Sequence, residues 1–494
     1  MLMGKNPHHR YPVTPTHRYC IIRPRRTVPN GARVARNTGV LNPKPETRNA
    51  ELSLMPDGTY WNQEIETMPR EGLEEIQTRL LRDLVDRAVR SSPFYRDLYR
   101  KAGVSPGDIK TLADVRYLPF VDKYVLQEAY PHGHLMAPFS DVREFHSSTT
   151  PTRHMFPIYA TEKDIARWGE RCARILWMAG LRSGDTVQNA FRFGMSTGGF
   201  GFHYGALTAG MISVPASIGS TDRQIDLILD LGVTGITMMP SYAFYMGMRA
   251  HERGIDLAKE SQLRVGLFGA EPTGTQMKER LGELLGLNAF GEYGMNEFLG
   301  PGMACQCRVE RGMHSWADDF LLECVDQKTG EPVPEGNQGE LVWTWLSAEA
   351  TAVIRFRSHD MSRITWDRCL CGRTHPRVRR IFGRSDGALS IGGFVIYPSR
   401  IQDVIHQMPE LGPFHILLDS LRGLDRLLIK AEVRDGVRTP SSELTYRLTS
   451  AIRSYLTVTP IVEIMPPGTL ALGEGTSYRV LDYRRGSGRY GAAD

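Results

Sequence analysis

Residues 263–268 read Leu-Arg-Val-Gly-Leu-Phe, a short apolar run of the kind that fits a strand covered on both faces. Two further runs share this character, Thr186-Val187-Gln188-Asn189-Ala190 and Gly235-Ile236-Thr237-Met238-Met239. Helix-like segments separate them, among them 162–179 and 222–231. Strands that alternate with helices predict a largely parallel sheet, so the body of the chain is expected to be α/β. Upstream, 71–92 carries Ile76, Leu80, Leu84, Val85 and Ala88 at helical spacing and predicts a long helix. Downstream comes a β-rich part that includes Gly339-Glu340-Leu341-Val342-Trp343-Thr344, and a break is expected near 383–387. After it the pattern predicts a small α+β unit: strand 389–396, helix 399–407, strands 414–419 and 426–433, helix 441–455 and strand 460–465. A unit of about 108 residues is large enough to be an independent domain.

The totals bound the function classes. A chain of 494 residues is too long for one ordinary core. Hydrophobic residues at 41% and charged residues at 23% are the composition of a soluble globular protein. The net charge of +5 is uneven: residues 1–50 hold ten Lys/Arg and one acid, Glu46, which leaves 50 bases and 54 acids beyond them. The body is therefore mildly acidic and has no nucleic-acid footprint. The longest uncharged stretch, 193–221, holds seven glycines with His203 and Pro215, and reads as buried strands and loops rather than a lipid-facing helix. No apolar core of a secretory signal opens the chain. Seven cysteines, an odd and low count, argue against a disulfide scaffold and for a reducing, cytoplasmic compartment. Residues 1–54 are Pro- and Arg-rich without hydrophobic period and are expected to be a disordered basic extension. A transit peptide and an upstream extension, with translation starting near Met55, both fit it; the second is favoured.

A series of short motifs runs through the rest. Tyr60-Trp61-Asn62-Gln63-Glu64 and Ser92-Pro93-Phe94-Tyr95 come first. Then follow Ser196-Thr197-Gly198-Gly199, Phe268-Gly269-Ala270-Glu271-Pro272 and Tyr293-Gly294-Met295-Asn296-Glu297. The last are Ile354-Arg355-Phe356-Arg357-Ser358-His359-Asp360, Cys369-Leu370-Cys371-Gly372 and Gly383-Arg384-Ser385-Asp386. In this order the chain resembles the phenylacetate–CoA ligase family of the adenylate-forming superfamily, over roughly residues 60–482. The resemblance implies an α/β fold: a large N-terminal adenylate-forming domain with a β-rich part over 55–385, and a small, mobile α+β lid over 386–494. It also implies a two-step reaction, in which an aromatic carboxylic acid attacks ATP to give an acyl adenylate and CoA then captures the acyl group. A homodimer is among the assemblies expected, and neither membrane nor nucleic acid is an expected partner.

By the same resemblance Glu297 would bind Mg²⁺ bridging the ATP phosphates, a task for a hard oxygen ligand. Tyr293 would stack on adenine beside Gly294, and Ala270, Glu271 and Pro272 would line the adenine site. Asp360 would hold the ribose hydroxyls, with Arg384 nearby, and Asp386 would be the hinge of the lid. The acyl pocket would be built from Arg192, Phe193, Ser196, Gly198, Gly199, Tyr242 and Met295, where small residues leave room for a flat ring. Arg192 either pairs with a substrate anion or reaches solvent. Cys307, His314, Cys369 and Cys371 form a C-x6-H…C-x-C set, whose thiolates and imidazole suit a structural tetrahedral Zn²⁺, with Cys305 and His375 as alternative members.

Two departures stand out against the family pattern. The phosphate loop should be rich in Gly and carry a Lys, yet residues 147–155 read Ser-Ser-Thr-Thr-Pro-Thr-Arg-His-Met. The hydroxyls of Ser148 and Thr149 remain, the glycines are gone, and Arg153 and His154 stand near the Lys position. Near the C-terminus, Thr476 occupies the place of the lid lysine, and Arg479 is the nearest cation. Removing one preorganised electrostatic contact of this kind typically costs about 3–4 kcal/mol. Three readings follow: an aryl-acid ligase in which Arg153, His154 or Arg479 takes over the charge, an ATP-independent acyl transferase on the same scaffold, and a non-catalytic binding homologue.

Overall fold

The computed structural model describes residues 58–148, 156–271, 273–309, 312–392, 394–396, 398–421, 424–456, 458–470 and 478–484. Helix α1 (Arg70–Ser91) buries Leu73, Leu81, Leu84, Val85 and Ala88. Its buried line also takes in Gln77, whose Nε2 donates to the Phe320 carbonyl at 2.8 Å, while Ile76 and Leu80 are only half-buried at its side. Ser92 ends α1 and caps α2 (Pro93–Ala102), its Oγ accepting from the Tyr95 N–H. A serine cap followed by proline in the first turn gives the Ser92-Pro93 pair a purely structural reason. Helix α3 (Lys123–Gln127) is capped by Asp122 in the same manner. Strands β1 (Val142–Ser148) and β2 (Phe156–Thr161) pair antiparallel and lead into α4 (Glu162–Ala179), which opens on a Thr161/Asp164 capping box.

The α/β body follows as β3 (Thr186–Asn189), α5 (Gly198–Thr208), β4 (Ile212–Val214), α6 (Thr221–Asp230), β5 (Gly235–Met238), α7 (Pro240–Glu252), β6 (Val265–Phe268), α8 (Thr275–Leu285) and β7 (Asn288–Tyr293). Strands β4, β3, β5, β6 and β7 lie side by side and parallel. The expected parallel sheet is thus present, but it continues antiparallel through β8 (Ala304–Gln306) and β9 (Met313–Ser315). The β-rich part adds a four-stranded antiparallel sheet from β10 (Phe320–Val325), β11 (Gly339–Trp345), β12 (Phe356–Ser362) and, across β12, β15 (Gly383–Arg384). Short strands β13 (Ile364–Thr365) and β14 (Arg377–Val378) extend the large sheet beyond β9.

The C-terminal unit packs its own core around Ile401, Phe414, Ile416, Ile429, Leu444, Leu448 and Ile452. The single strand expected over 389–396 is instead a tight hairpin of β16 (Leu389–Ile391) and β17 (Phe394–Ile396). Gly392 between them takes φ +53°, a left-handed turn that glycine adopts without strain. Helix α9 (Pro398–His406), strands β18 (Leu411–Leu421) and β19 (Leu424–Val433), helix α10 (Ser441–Leu456) and strand β20 (Ile461–Met465) follow as expected in order. Strand β21 (Tyr478–Asp482) then joins parallel to β18. Among the described residues no helix is long and apolar enough to cross a membrane.

Arg171 on α4 is buried and bonds Asp319 at 2.8 Å, with its guanidinium also facing the rings of Phe320 and Trp345. Breaking a buried pair strands the remaining charge, at a cost of about 3–5 kcal/mol. Arg171→Met should therefore lower the unfolding free energy measured by urea titration by about 3–5 kcal/mol, whereas Lys163→Met, on the exposed ion pair with Glu349, should leave it nearly unchanged.

Candidate active site

In an open parallel sheet, ligands bind in the crevice beyond the carboxyl ends of the strands, near the point where strand order reverses. Here the chain passes from β3 outward to β4 and returns to β5 on the other side of β3. The segments that leave the ends of β3, β5, β6 and β7 are 190–199, 239–242, 269–271 and 294–297, which carry most of the residues assigned by motif.

The first of these is stitched by Asn189, whose Nδ2 donates to the Gly199 carbonyl (2.6 Å) and whose Oδ1 accepts from the Phe191 N–H (3.1 Å). A Cβ at Gly199 would stand 2.7 Å from the Phe193 ring and 2.9 Å from the Arg192 carbonyl, so the turn closes only on glycine. A Cβ at Gly198 would only touch the Phe191 side chain, at 3.6 Å. Phe193 meets Phe200 edge to face at 5.2 Å, Ser196 is half-buried, and the Met195 carbonyl accepts from Ser147 N–H. Arg192 is exposed, as is Met195. Tyr242 is half-buried with its hydroxyl 3.4 Å from Thr221 Oγ1.

Tyr293 stacks one face on Trp343 (5.7 Å, 18° between planes) and donates its hydroxyl to Asp360 Oδ2 at 2.6 Å. Arg384 bonds the other Asp360 oxygen at 3.0 Å and holds Asp386 through two further bonds of 2.8 and 3.1 Å. Burial pushes the Asp360 carboxyl up from its ordinary value, and Arg384 pulls it back. Burial likewise raises the Tyr293 phenol. Ala270 takes φ +66° and is exposed beside the half-buried Glu271. A Cβ at Gly294 would meet Pro301 Cα at 2.8 Å, so the loop folds back tightly on itself. Glu297, 2% exposed, faces Lys123 Nζ at 3.2 Å, and Asn296 Oδ1 accepts from the Thr197 hydroxyl at 2.5 Å.

Lys123 has no motif around it, and the sequence offers no signal for it. The chain brings it in because Val121 bridges to Phe356, with backbone bonds to Arg355 and Arg357, which lays the start of α3 against β12. Thr149, Arg153, His154, Pro272 and Thr476 lie outside the described residues. Ser148 ends β1 opposite Phe156, and Arg479 lies in β21 opposite His415.

Away from this edge, Cys307, His314, Cys369 and Cys371 come together, all buried, with their ligand atoms within 4.8 Å of one another. Cys307 and Cys369 sulfurs are 3.7 Å apart, and Cys371 Sγ is 3.3 Å from His314 Nε2. Zinc–thiolate bonds of about 2.3 Å give tetrahedral edges of about 3.8 Å, so this donor set fits zinc in chemistry and spacing. His314 Nδ1 lies 3.3 Å from the His375 carbonyl, an outer bond of the kind that orients a metal-binding imidazole. Around it, the Tyr60 hydroxyl donates to the Cys371 carbonyl, Arg373 pairs with Glu66, and His375 Nε2 donates to the Ile65 carbonyl.

The site edge, the nucleotide-type loop and the appended α+β unit define an adenylate-forming enzyme. Residues 168–344 match the model of the AMP-binding enzymes, and 393–484 that of the AMP-binding enzyme C-terminal domain. The phenylacetate–coenzyme A ligase of Thermus thermophilus is 37% identical over 85% of this chain and 99% of its own length. Those of Pseudomonas putida and Escherichia coli are 33% and 34% identical, with 97% of each covered. The chain belongs to the phenylacetate–CoA ligase family of AMP-binding enzymes and is an acid-activating, adenylate-forming ligase. Among solved structures, 2-hydroxyisobutyryl-CoA ligase with its acyl-AMP and CoA in the thioesterification state superposes with TM-score 0.82, at 27% identity over 88% of this chain and 95% of that one. Its postadenylation and open forms, equally similar in sequence, give 0.65.

Glu292, on the opposite face of β7 from Tyr293, is buried and accepts from the Gly302 N–H at 2.9 Å; burial pushes its pKa up to about 7 from 4.5. The folded chain then holds an extra proton between these values, and the stability carried by the neutral carboxyl is full below about 4.5 and lost as the pH rises through about 7. Glu292→Gln should flatten that fall, measured as denaturant midpoints across the window.

Proposed function

We propose that the chain activates an aromatic carboxylic acid with ATP and passes the acyl group to CoA. In the first step a carboxylate oxygen attacks the α-phosphorus, and the bond to the bridging oxygen breaks, its electron pair leaving on pyrophosphate. In the second the CoA thiolate attacks the acyl carbon, and the carbon–oxygen bond breaks with AMP leaving. The observation that carries this reading is the pairing of Lys123 with Glu297 beside the acyl loop. A cation beside the carboxylate assigned to the phosphates supports charge neutralisation in a site whose motif lacks the lid lysine. Glu297 would hold Mg²⁺, since a buried carboxylate together with substrate phosphates and water suits that ion; when bound, the ion offsets charge on the phosphates. Lys123 holds Glu297 in place without it. Phe193, Ser196 and the glycines of the acyl loop leave space for a flat ring, and Asp360, Arg384 and Tyr293 bind the ribose and adenine side. Asp386, paired to Arg384 at the end of β15, is the hinge, with the lid beyond it.

A second reading has one observation behind it. The higher TM-score with the neighbour solved in its thioesterification state, 0.82 against 0.65, supports a chain that serves best in the thioester half-reaction and takes supplied acyl adenylate. Purified protein assayed for pyrophosphate release from ATP-Mg²⁺ with a panel of aryl acids separates the two. Acid-dependent release is expected. Lys123→Met should lower its rate by about 10²-fold, the usual effect of losing one preorganised charge contact. Its absence in folded wild type, with turnover of supplied acyl-AMP and CoA intact, would favour the second reading.

The four-residue Cys/His cluster is proposed as a structural zinc site, closed on four protein ligands, in a protein of a reducing compartment. One zinc per chain by metal analysis is expected. Chelation or Cys371→Ser should lower the melting temperature without changing affinity for the acid.

A further inference from the structure

Three guanidinium groups gather where α4 ends. Arg182 donates from Nη1 to the carbonyls of Trp177 (2.8 Å) and Leu181 (2.7 Å) and lies over the Trp177 ring at 4.4 Å. Arg264 donates to the Gly180 carbonyl at 2.8 Å. Arg308 lies against Gly180 itself, where a Cβ would collide with its Nη2, so glycine, at φ +108°, is what lets this side chain in. Topology accounts for the meeting. Arg182 precedes β3 and Arg264 precedes β6, while β8 runs antiparallel to β7 and so returns Arg308 to the same side. That side is the amino edge of the parallel strands, opposite the loops of the candidate active site.

Charge does not balance at this edge. Asp185 pairs with Arg264 and accepts from the Arg182 N–H. The Arg182 guanidinium is held by carbonyl oxygens, including that of Gly58 at 3.0 Å, and has no carboxylate within ion-pair distance among the described residues. Arg308 is exposed and has neither a hydrogen bond nor an ion pair among the described residues. Burial, and after it the charges of Arg308 and Arg264, lower the Arg182 guanidinium, so the three groups act on one another. The end of a helix offers only about half a negative charge, too little for two unpaired guanidiniums.

We propose that this end of α4 binds the phosphate group of a small soluble ligand, at a site separate from the catalytic edge. A tetrahedral oxyanion converts the mutual repulsion of the arginines into attraction, and each guanidinium can meet it as a fork of two donors. The three groups are anchored on residues 177–182, so the site fits one compact anion rather than an extended acidic chain. Because Arg308 is exposed, added salt weakens the binding.

The test is calorimetric titration of the full-length protein with inorganic phosphate at constant ionic strength. Wild type is compared with Arg308→Gln, Arg308→Lys and Lys259→Gln, the last an exposed lysine of another surface paired with Asp256. Arg308→Gln should weaken phosphate binding by about tenfold or more, Arg308→Lys by less, since it keeps the charge and loses the fork, and Lys259→Gln should not change it. Melting temperatures check the fold, and should Arg308→Gln fail to fold, Arg308→Lys decides. Glycerol phosphate, titrated in the same way, separates two sources of the anion: tighter Arg308-dependent binding than inorganic phosphate assigns the site to a phosphomonoester, weaker binding to free phosphate. Phosphate binding that is absent, or that Arg308→Gln leaves unchanged, would overturn the proposal. So would an equal loss in Lys259→Gln, which would reduce the effect to net charge, or Arg308-dependent binding of polyglutamate alone.

Discussion

Arg171 is the contact on which the catalytic edge depends. From within α4 it bonds Asp319, at the entrance to the antiparallel sheet, and the carbonyls of Phe298 and Leu299 behind Glu297. Trp168, one turn earlier, donates to the Pro301 carbonyl. This buried guanidinium needs acceptors at its two terminal nitrogens, although its Nε has none among the described residues. Its demand for acceptors therefore fixes the return of the nucleotide loop, and with it where Glu297, Asn296 and Tyr293 stand. The left-handed φ at Leu299 is the local conformation that this anchoring imposes.

The acyl loop and the loop of Glu297 are placed as short segments leaving parallel strands. Asn189 closes the acyl loop, and the Thr197–Asn296 bond ties it to the next loop but two. Lys123 arrives from a different layer, through the backbone bonds of Val121 to β12. The same β12 supplies Asp360, and its neighbour β15 supplies Arg384, so Asp360 and Asp386 share one set of ion pairs through Arg384. His359, also with a left-handed φ, and Ser385 bond the buried Glu340, which holds β12 and the segment after β15 to β11. Paired strands up to residue 384 and a separate apolar core beyond 389 divide the two parts of the chain.

The Cys/His cluster does a different job. The strand pairing β9–β14 brings His314 to the segment after Cys371, and that segment holds the Tyr60-Trp61 motif through Tyr60, Glu66 and Ile65. The Tyr60-Trp61 signature is thereby explained as a docking strap rather than as part of the reacting centre, and Trp61 Nε1 completes it by donating to Glu170 on α4.

Much of this was legible in the sequence. Strands covered on both faces lose their alternation and become short apolar runs, so β3, β5 and β6 were readable, and the loops after them carried motifs because chemistry restricts their residues. The metal-type set was readable from residue types and spacing alone. The buried line of α1 was less so, since Gln77 lies in it for the sake of one carbonyl acceptor in another layer. The hairpin within 389–396 turned on a backbone angle at Gly392 that composition does not encode. Lys123 and the Thr197–Asn296 bond depended wholly on tertiary structure. Local sequence sets propensity and chemistry, whereas a salt bridge or a buried hydroxyl's acceptor is chosen by whichever distant segment the packed core brings within reach.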